Sequence, residues 1–299
     1  MRVLVAGATG LVGSALLPAL RAGGHHVVSM VRDGALVRDD AVVADALDPY
    51  AVRAAVRTAR PDVVVHQLTA LREMSDEALE TTARLRTEGT ANLITAAREV
   101  GARRFVAQSI AFGSAPQGEQ VVDEDAPLYL DAPDPSWART VRAVAELERL
   151  VLGTPDISGA ILRYGAFYGA NTQYDPAGPF GVKVGRGRLP LPLSATGMTS
   201  FLHLEDAVAA TVSAVDGAAT CVFHITDDEP VEGAVWLPEY ARLIGAPAPR
   251  VLDGDIAERL LGWFTHYQLT ALRGASNKRA REVLGWKPVR SWRQGLATG

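Results

Sequence analysis

The sequence predicts an α/β fold, a doubly wound parallel sheet (strands with helices on both faces) followed by a smaller C-terminal substrate lobe. Three observations predict it. Short β-branched runs alternate with amphipathic helical stretches, which calls for right-handed crossovers and a parallel sheet. A glycine-rich turn, GATGLVG, stands between the first run and the first helix. After residue 165 the alternation loosens into turn-rich and mixed segments.

In chain order, RVLVAG (2–7) is a buried strand and the helix after it stops at Gly23–Gly24. HVVSMVR (26–32) is the second strand. The helix DPYAVRAAVRTAR is broken by Pro61, and DVVVHQ (62–67) is the third strand. A long helix over about 76–100 ends at Gly101, before the strand RRFVAQSI (103–110). A loop over 113–135, rich in Pro, Asp and Gly, leads to the helix PSWARTVRAVAELERL (135–150). Ser136 can cap that helix, and Val141, Val144, Ala145 and Leu147 form its apolar stripe. ISGAILRYG (157–165) is the next strand. Residues 1–165 then form a dinucleotide-binding domain, and 166–299 a substrate lobe partly interleaved with it. Within the lobe, 169–192 reads as a mobile flap, FLHLEDAVAATVSAVDG as a strand end plus a helix, and CVFHITDDEP as a strand.

Composition narrows the function. Hydrophobic residues make up 48% of 299, enough for a sizeable core. Net charge is −4 with scattered basic residues, which argues against a nucleic-acid partner. No run approaches the roughly 18 apolar residues of a membrane span, and no secretory leader is visible. The single Cys221 cannot form an internal disulfide and suits a reducing cytoplasm. His66 and His203 read as satisfied structural histidines, and His25 and His26 lack metal-ligand company, so no metal is expected. The expected partner is a small-molecule substrate; a homodimer is compatible with the pattern.

Gly7, Gly10 and Gly13 recur every three residues, after a strand and at the start of a helix. Such a turn lets backbone approach a pyrophosphate that the helix N-terminus holds by free N–H groups and its dipole. The second strand ends SMVRDG. Arg32 suits the 2′-phosphate of NADP(H), the expected cofactor; NAD(H) is the alternative, with Asp33 on the ribose. Asp45 can accept from an adenine amino group, or serve as a cap.

GATGLVG, VVHQLTA, EGTANLITAA, RRFVAQSIAFG, LRYGAFYG, FLHLEDAV and SNKRAREVLGWKP occur in this order. The set resembles the extended and atypical short-chain dehydrogenases/reductases, the NAD(P)-dependent epimerase/dehydratase group, across nearly the whole chain. The resemblance implies a Rossmann-type sheet with a dinucleotide across the strand ends. By match, Gly7, Thr9, Gly10, Leu11, Val12 and Gly13 cradle phosphates, Arg32 meets the ribose phosphate, and Asp45 and Ala46 meet adenine. Gln67, Leu68 and Thr69 line the cofactor's middle, with Tyr164 and Gly165 near the nicotinamide.

The departure is at the chemistry. The family uses Ser or Thr, then Tyr-x-x-x-Lys on the following helix, as its proton machinery. Here Trp137 stands in the Tyr position and Val141 in the Lys position. An indole N–H has no useful acidity and an isopropyl group has no donor. The hydroxyl position matches Gln108, Ser109 or Ile110, depending on the alignment. Ser109, the one hydroxyl, is the catalytic candidate, and Gln108 is an amide that can bind a carbonyl. Trp137, Met198 and Phe201 are substrate-binding candidates; Trp263, Phe264 and Tyr267 can also line the pocket. The expected activity is NADPH-dependent ketoreduction of a bulky, polycyclic aromatic, polyketide-like substrate, in a biosynthetic pathway such as antibiotic formation, with the proton supplied by substrate or water. A nucleotide-sugar epimerase or dehydratase and a non-catalytic NADP-binding regulator are the alternatives.

Overall fold

A computed structural model describes residues 1–36, 40–71 and 75–296. Among these, seven strands form one parallel sheet: β1 (Arg2–Ala6), β2 (His26–Val31), β3 (Ala41–Val43), β4 (Val63–His66), β5 (Arg104–Ile110), β6 (Ser158–Tyr164) and β7 (Cys221–Ile225). Their order is β7-β6-β5-β4-β1-β2-β3. The chain starts in the middle, winds outward to β3, then returns past β4 toward β7. That reversal beside β1 opens a crevice at the strands' C-terminal ends, where ligands bind in such sheets.

The strands are almost continuously apolar because both faces are covered. On one face α2 (Pro49–Ala59), α3 (Asp76–Arg84), α4 (Thr90–Glu99) and α5 (Pro135–Leu152) surround a core of Leu4, Val64, Phe105 and Leu147. On the other, α1 (Leu11–Ala22) and α7 (Leu204–Asp216) cover Val3, Val65, Val106 and Phe223. The chain between them includes α6 (Pro179–Gly185). Each fully buried Val, Leu or Phe contributes about 1.5–3 kcal/mol. A second core, built on Tyr174, Phe201, Trp236, Tyr240 and Trp292, lies beyond the sheet.

Three local expectations change. Asp134, not Ser136, caps α5, its carboxylate accepting from the Trp137 amide at 2.8 Å. The helix over 76–100 contains a wide, π-helical turn, Leu85–Gly89, between α3 and α4. The segment 169–192 is not a free flap, because Tyr174 is buried and its carbonyl accepts from the Tyr240 hydroxyl at 2.9 Å. The short β3 had no sequence signal of its own.

Candidate active site

The glycine turn is built for close approach. Gly7 has φ of 90°, and a Cβ there would lie 2.5 Å from the Gln67 carbonyl oxygen. A Cβ on Gly13 would lie 2.1 Å from the Gly7 carbonyl oxygen, so α1 meets β1 only through glycine. No side chain caps α1 and no acidic residue sits in its first turn. Thr9 and Leu11 are exposed beside this helix start, while Val12 anchors it inside. An uncapped, positively polarised helix end of this kind suits a pyrophosphate.

The neighbouring strand ends supply the other candidates. Arg32 is exposed just past β2, whereas the Asp33 carboxylate accepts from the Ala35 amide at 2.9 Å in its own turn. Asp45 is exposed and accepts from the Leu47 amide at 2.9 Å; Ala46 is buried, and its carbonyl accepts from Asn92 Nδ2. Leu68 is half-buried and Thr69 exposed after β4. Gln67 Nε2 donates to the Tyr164 hydroxyl at 3.1 Å, and that hydroxyl lies 2.6 Å from Thr211 Oγ1. Gln67 Oε1 is buried with no partner among the described residues. Glycine turn, uncapped helix and orphaned amide oxygen all suit a bound dinucleotide. Gly165 has a different reason to be glycine: a Cβ there would lie 2.6 Å from the Ser200 carbonyl oxygen.

Among the described residues, neither Tyr164 nor His66 at these strand ends is a ready proton donor, and the half-buried Tyr129 is the phenol that packs against the Ile110–Trp137–Val141 cluster. Burial pushes the Tyr164 phenol up to about 12. Burial, then the Arg86 charge, hold His66 down at about 4 against the Leu85 carbonyl, so it is neutral. Its Nδ1 accepts from the Leu68 amide, which places the imidazole proton on Nε2, toward Thr90 and Leu85.

Ser109, the catalytic candidate, is already engaged in the protein interior. It has no exposure, and its hydroxyl donates to Glu148 Oε1 at 2.7 Å. Glu148 also takes two bonds from Arg163, at 2.8 and 2.6 Å. Ser109 therefore belongs to a buried ion-pair network between β5, β6 and α5. Gln108, on the other side of the strand, is half-buried. Ile110 packs instead with Trp137, Val141 and Val144. Where acid–base groups were expected, the wall is isoleucine, tryptophan and valine.

Aromatic rings close this wall. Trp137 lies 4.6 Å from Phe264 and stacks on Phe112 at 6.0 Å with planes 15° apart. Trp263 stacks on Tyr267 at 5.0 Å. The Trp137 Nε1–H is buried with no partner among the described residues. Phe201, a substrate-binding candidate, has no exposure and lies inside the second core, 5.4 Å from Trp236. Met198 is half-buried at that core's margin. Sequence reasoning missed Glu148, Arg163 and Arg86. The signals were an arginine inside an apolar strand and a glutamate two turns beyond Val141. Among the described residues no three His, Cys, Asp or Glu side chains converge as a metal site, and no helix is long and apolar enough to cross a membrane.

A sequence model described as the NAD dependent epimerase/dehydratase family matches residues 3–220. A Streptomyces sp. protein named 3-diazoavenalumate denitrifying reductase is 61% identical over 302 residues, covering 99% of each chain. Among solved structures, Thermotoga maritima UDP-glucose 4-epimerase with UDP-glucose gives a TM-score of 0.76 at 18% identity, covering 99% of this chain and 96% of that one. A short-chain dehydrogenase/reductase superfamily protein from Agrobacterium tumefaciens, with bound NAD, gives 0.74 at 23% identity, covering 99% and 94%. At these identities the structures show the fold alone.

Proposed function

The chain belongs to the NAD dependent epimerase/dehydratase family and is an NAD(P)-dependent oxidoreductase, a reductase, and from that premise we propose that it replaces the diazo group of an aromatic substrate by hydrogen, releasing dinitrogen. A reduced nicotinamide at the strand ends would supply the hydride. The net step is Ar–N2⁺ plus hydride giving Ar–H plus N2. The carbon–nitrogen bond breaks with its electron pair leaving on nitrogen, and the hydride pair forms the new C–H bond. No alkoxide develops, so the hydride step asks no side chain for a proton.

The observation that carries this reading is the Ile110–Trp137–Val141 wall. A positioned acid contributes about 10²–10⁴-fold to a reaction that needs one. A site that keeps its dinucleotide turn but has Trp137 and Val141 where the family has Tyr and Lys suits a reaction that needs no acid. The diazo reductase name of the 61% identical relative supports the same choice. The chain's residues here would position the ring and exclude water: Phe112, Trp137 and Phe264 pack on one another as an apolar aromatic cluster. Ketoreduction of a polycyclic aromatic carbonyl, with substrate or water giving the proton, draws on the same wall and is the second reading.

The two readings give different products. With 4-deuterated NADPH and a ring-diazo substrate carrying ¹⁵N, one ¹⁵N2 is expected per NADPH oxidised, with deuterium on the ring carbon. Trp137→Tyr is expected to bring no gain in this rate. Turnover of an aromatic ketone to a deuterated carbinol, with no dinitrogen from the diazo compound, would overturn the proposal.

For the cofactor, the exposed Arg32 and the self-occupied Asp33 support NADP(H). Arg32→Ala is expected to lower kcat/KM for NADPH about 10–100-fold, the worth of a charged hydrogen bond, and to leave NADH nearly unchanged. Equal losses with both cofactors would remove Arg32 from the 2′-phosphate. The free Cys221 supports a reducing compartment such as the cytoplasm.

A further inference from the structure

Arg86 sits in the wide turn Leu85–Gly89, a distortion that often marks functional sites. It is 4% exposed, no hydrogen bond or ion pair joins it to another described residue, and its nitrogens keep some contact with solvent. The carboxylate whose charge reaches it, Glu148, is already held by Arg163 and Ser109. Two guanidinium groups thus share one carboxylate, and Arg86 is the one left over. Burial lowers its pKa only to about 10, so it stays charged at neutral pH. A buried charge without a partner is costly, and an anion arriving beside it relieves that cost.

Its location follows from two contacts. His66, at the end of β4, lies 3.4 Å from the Leu85 carbonyl and 3.1 Å from the Thr90 hydroxyl, which fastens the wide turn against the strand ends. Arg139 approaches Glu80 at 3.9 Å, which sets the register of α3 beside α5. Both helices follow parallel strands and run the same way. Arg86, six residues beyond Glu80, is then level with residue 145. Its charge bears on His66 at the end of β4 and it feels Glu148 of α5, so the guanidinium lies between that strand end and α5.

Resting on the diazo reading above, we propose that Arg86 binds the substrate's ring oxygen, the one conjugated to the diazo group. A diazo group on an aromatic ring is neutral only when a conjugated oxygen shares the charge, as oxo-diazo or phenolate-diazonium forms. A guanidinium on that oxygen favours the phenolate-diazonium form. It thereby makes the nitrogen-bearing carbon a better hydride acceptor and the nitrogen a better leaving group.

The test uses the full-length enzyme with NADP⁺ or NADPH, and Arg86→Met, with Arg86→Gln in reserve if the first variant does not fold. With NADP⁺ present, the wild type is expected to bind 2-nitrophenol as its coloured phenolate, and the variant to bind it about 10-fold or more weakly. NADP⁺ affinity should change less than about 2-fold, well below the worth of one hydrogen bond. With NADPH, the variant should lose about 10-fold or more on 2-diazoniophenolate and little on benzenediazonium, which lacks the oxygen. Unchanged nitrophenolate binding, a wild type that leaves nitrophenol un-ionised, equal losses on both diazo probes, or a loss that follows NADP⁺ affinity would overturn the assignment. Arg86-dependent nitrophenolate binding with no dinitrogen from either probe would sink the diazo reading and leave the oxyanion site standing.

Discussion

Gly13→Ala is expected to cost the enzyme its nicotinamide dinucleotide and part of its stability. The added Cβ would fall 2.1 Å from the Gly7 carbonyl oxygen and 3.0 Å from the Ala8 Cα. Both obstacles are backbone, so no side chain can swing aside. Either α1 lifts from β1 or the glycine turn deforms. Val12, Leu16 and Leu20 bury α1 against the sheet, and forcing such a contact costs about 1–3 kcal/mol. The same shift re-aims the uncapped N–H groups that face the phosphates. A loss of about 3 kcal/mol in binding is roughly 100-fold in affinity. NADPH titration by fluorescence reads the affinity, and urea denaturation reads the stability. Gly10→Ala is the comparison for stability alone, since a Cβ there meets the Gly7 oxygen at the milder 3.2 Å. Wild-type NADPH affinity in Gly13→Ala would move the pyrophosphate away from α1.

The contrast between these two glycines shows what the sequence carries openly. Strand, glycine turn and helix are adjacent in the chain, so local pattern is enough to place them. The strand ends that hold Arg32, Gln67 and Tyr164 follow from parallel pairing, because every strand points the same way. Ser109 was harder. Register along β5 decides which side a residue faces, and a slip of one exchanges Ser109 with Gln108 or Ile110. The partner that claims Ser109, Glu148, is 39 residues away on α5. Phe201 is hard for a similar reason, since an aromatic residue after a strand end reads alike whether it lines a slot or fills a second core. Arg86 lay inside an apparently regular helix, and periodicity does not register one extra residue in a turn. Trp137 and Val141 were legible because a fixed four-residue spacing on one helix face needs no tertiary information.

Glu148→Gln is expected to be the most destabilising conservative change in the sheet domain. The carboxylate accepts three bonds, from Arg163 Nε and Nη2 and from the Ser109 hydroxyl. Arg163 and Glu148 are about 5% and 8% exposed at their side chains, so water cannot replace a lost partner. Breaking a buried pair from one side costs about 3–5 kcal/mol, because the surviving charge stays buried. Here the cost falls at the upper end, since Arg86 adds a second uncompensated guanidinium nearby. Against a total stability of about 5–15 kcal/mol, such a loss should appear as a large drop in the urea midpoint. Ser109→Ala removes one bond and should cost about 1–3 kcal/mol, while kcat stays near wild type. Replacing both Glu148 and Arg163 by methionine should recover much of the loss, because no charge is then left behind by its partner. If Ser109→Ala instead abolished turnover with an unchanged urea midpoint, the hydroxyl would be chemical and not structural. A donor aimed at a carboxylate already engaged by Arg163 gives no reason for that outcome.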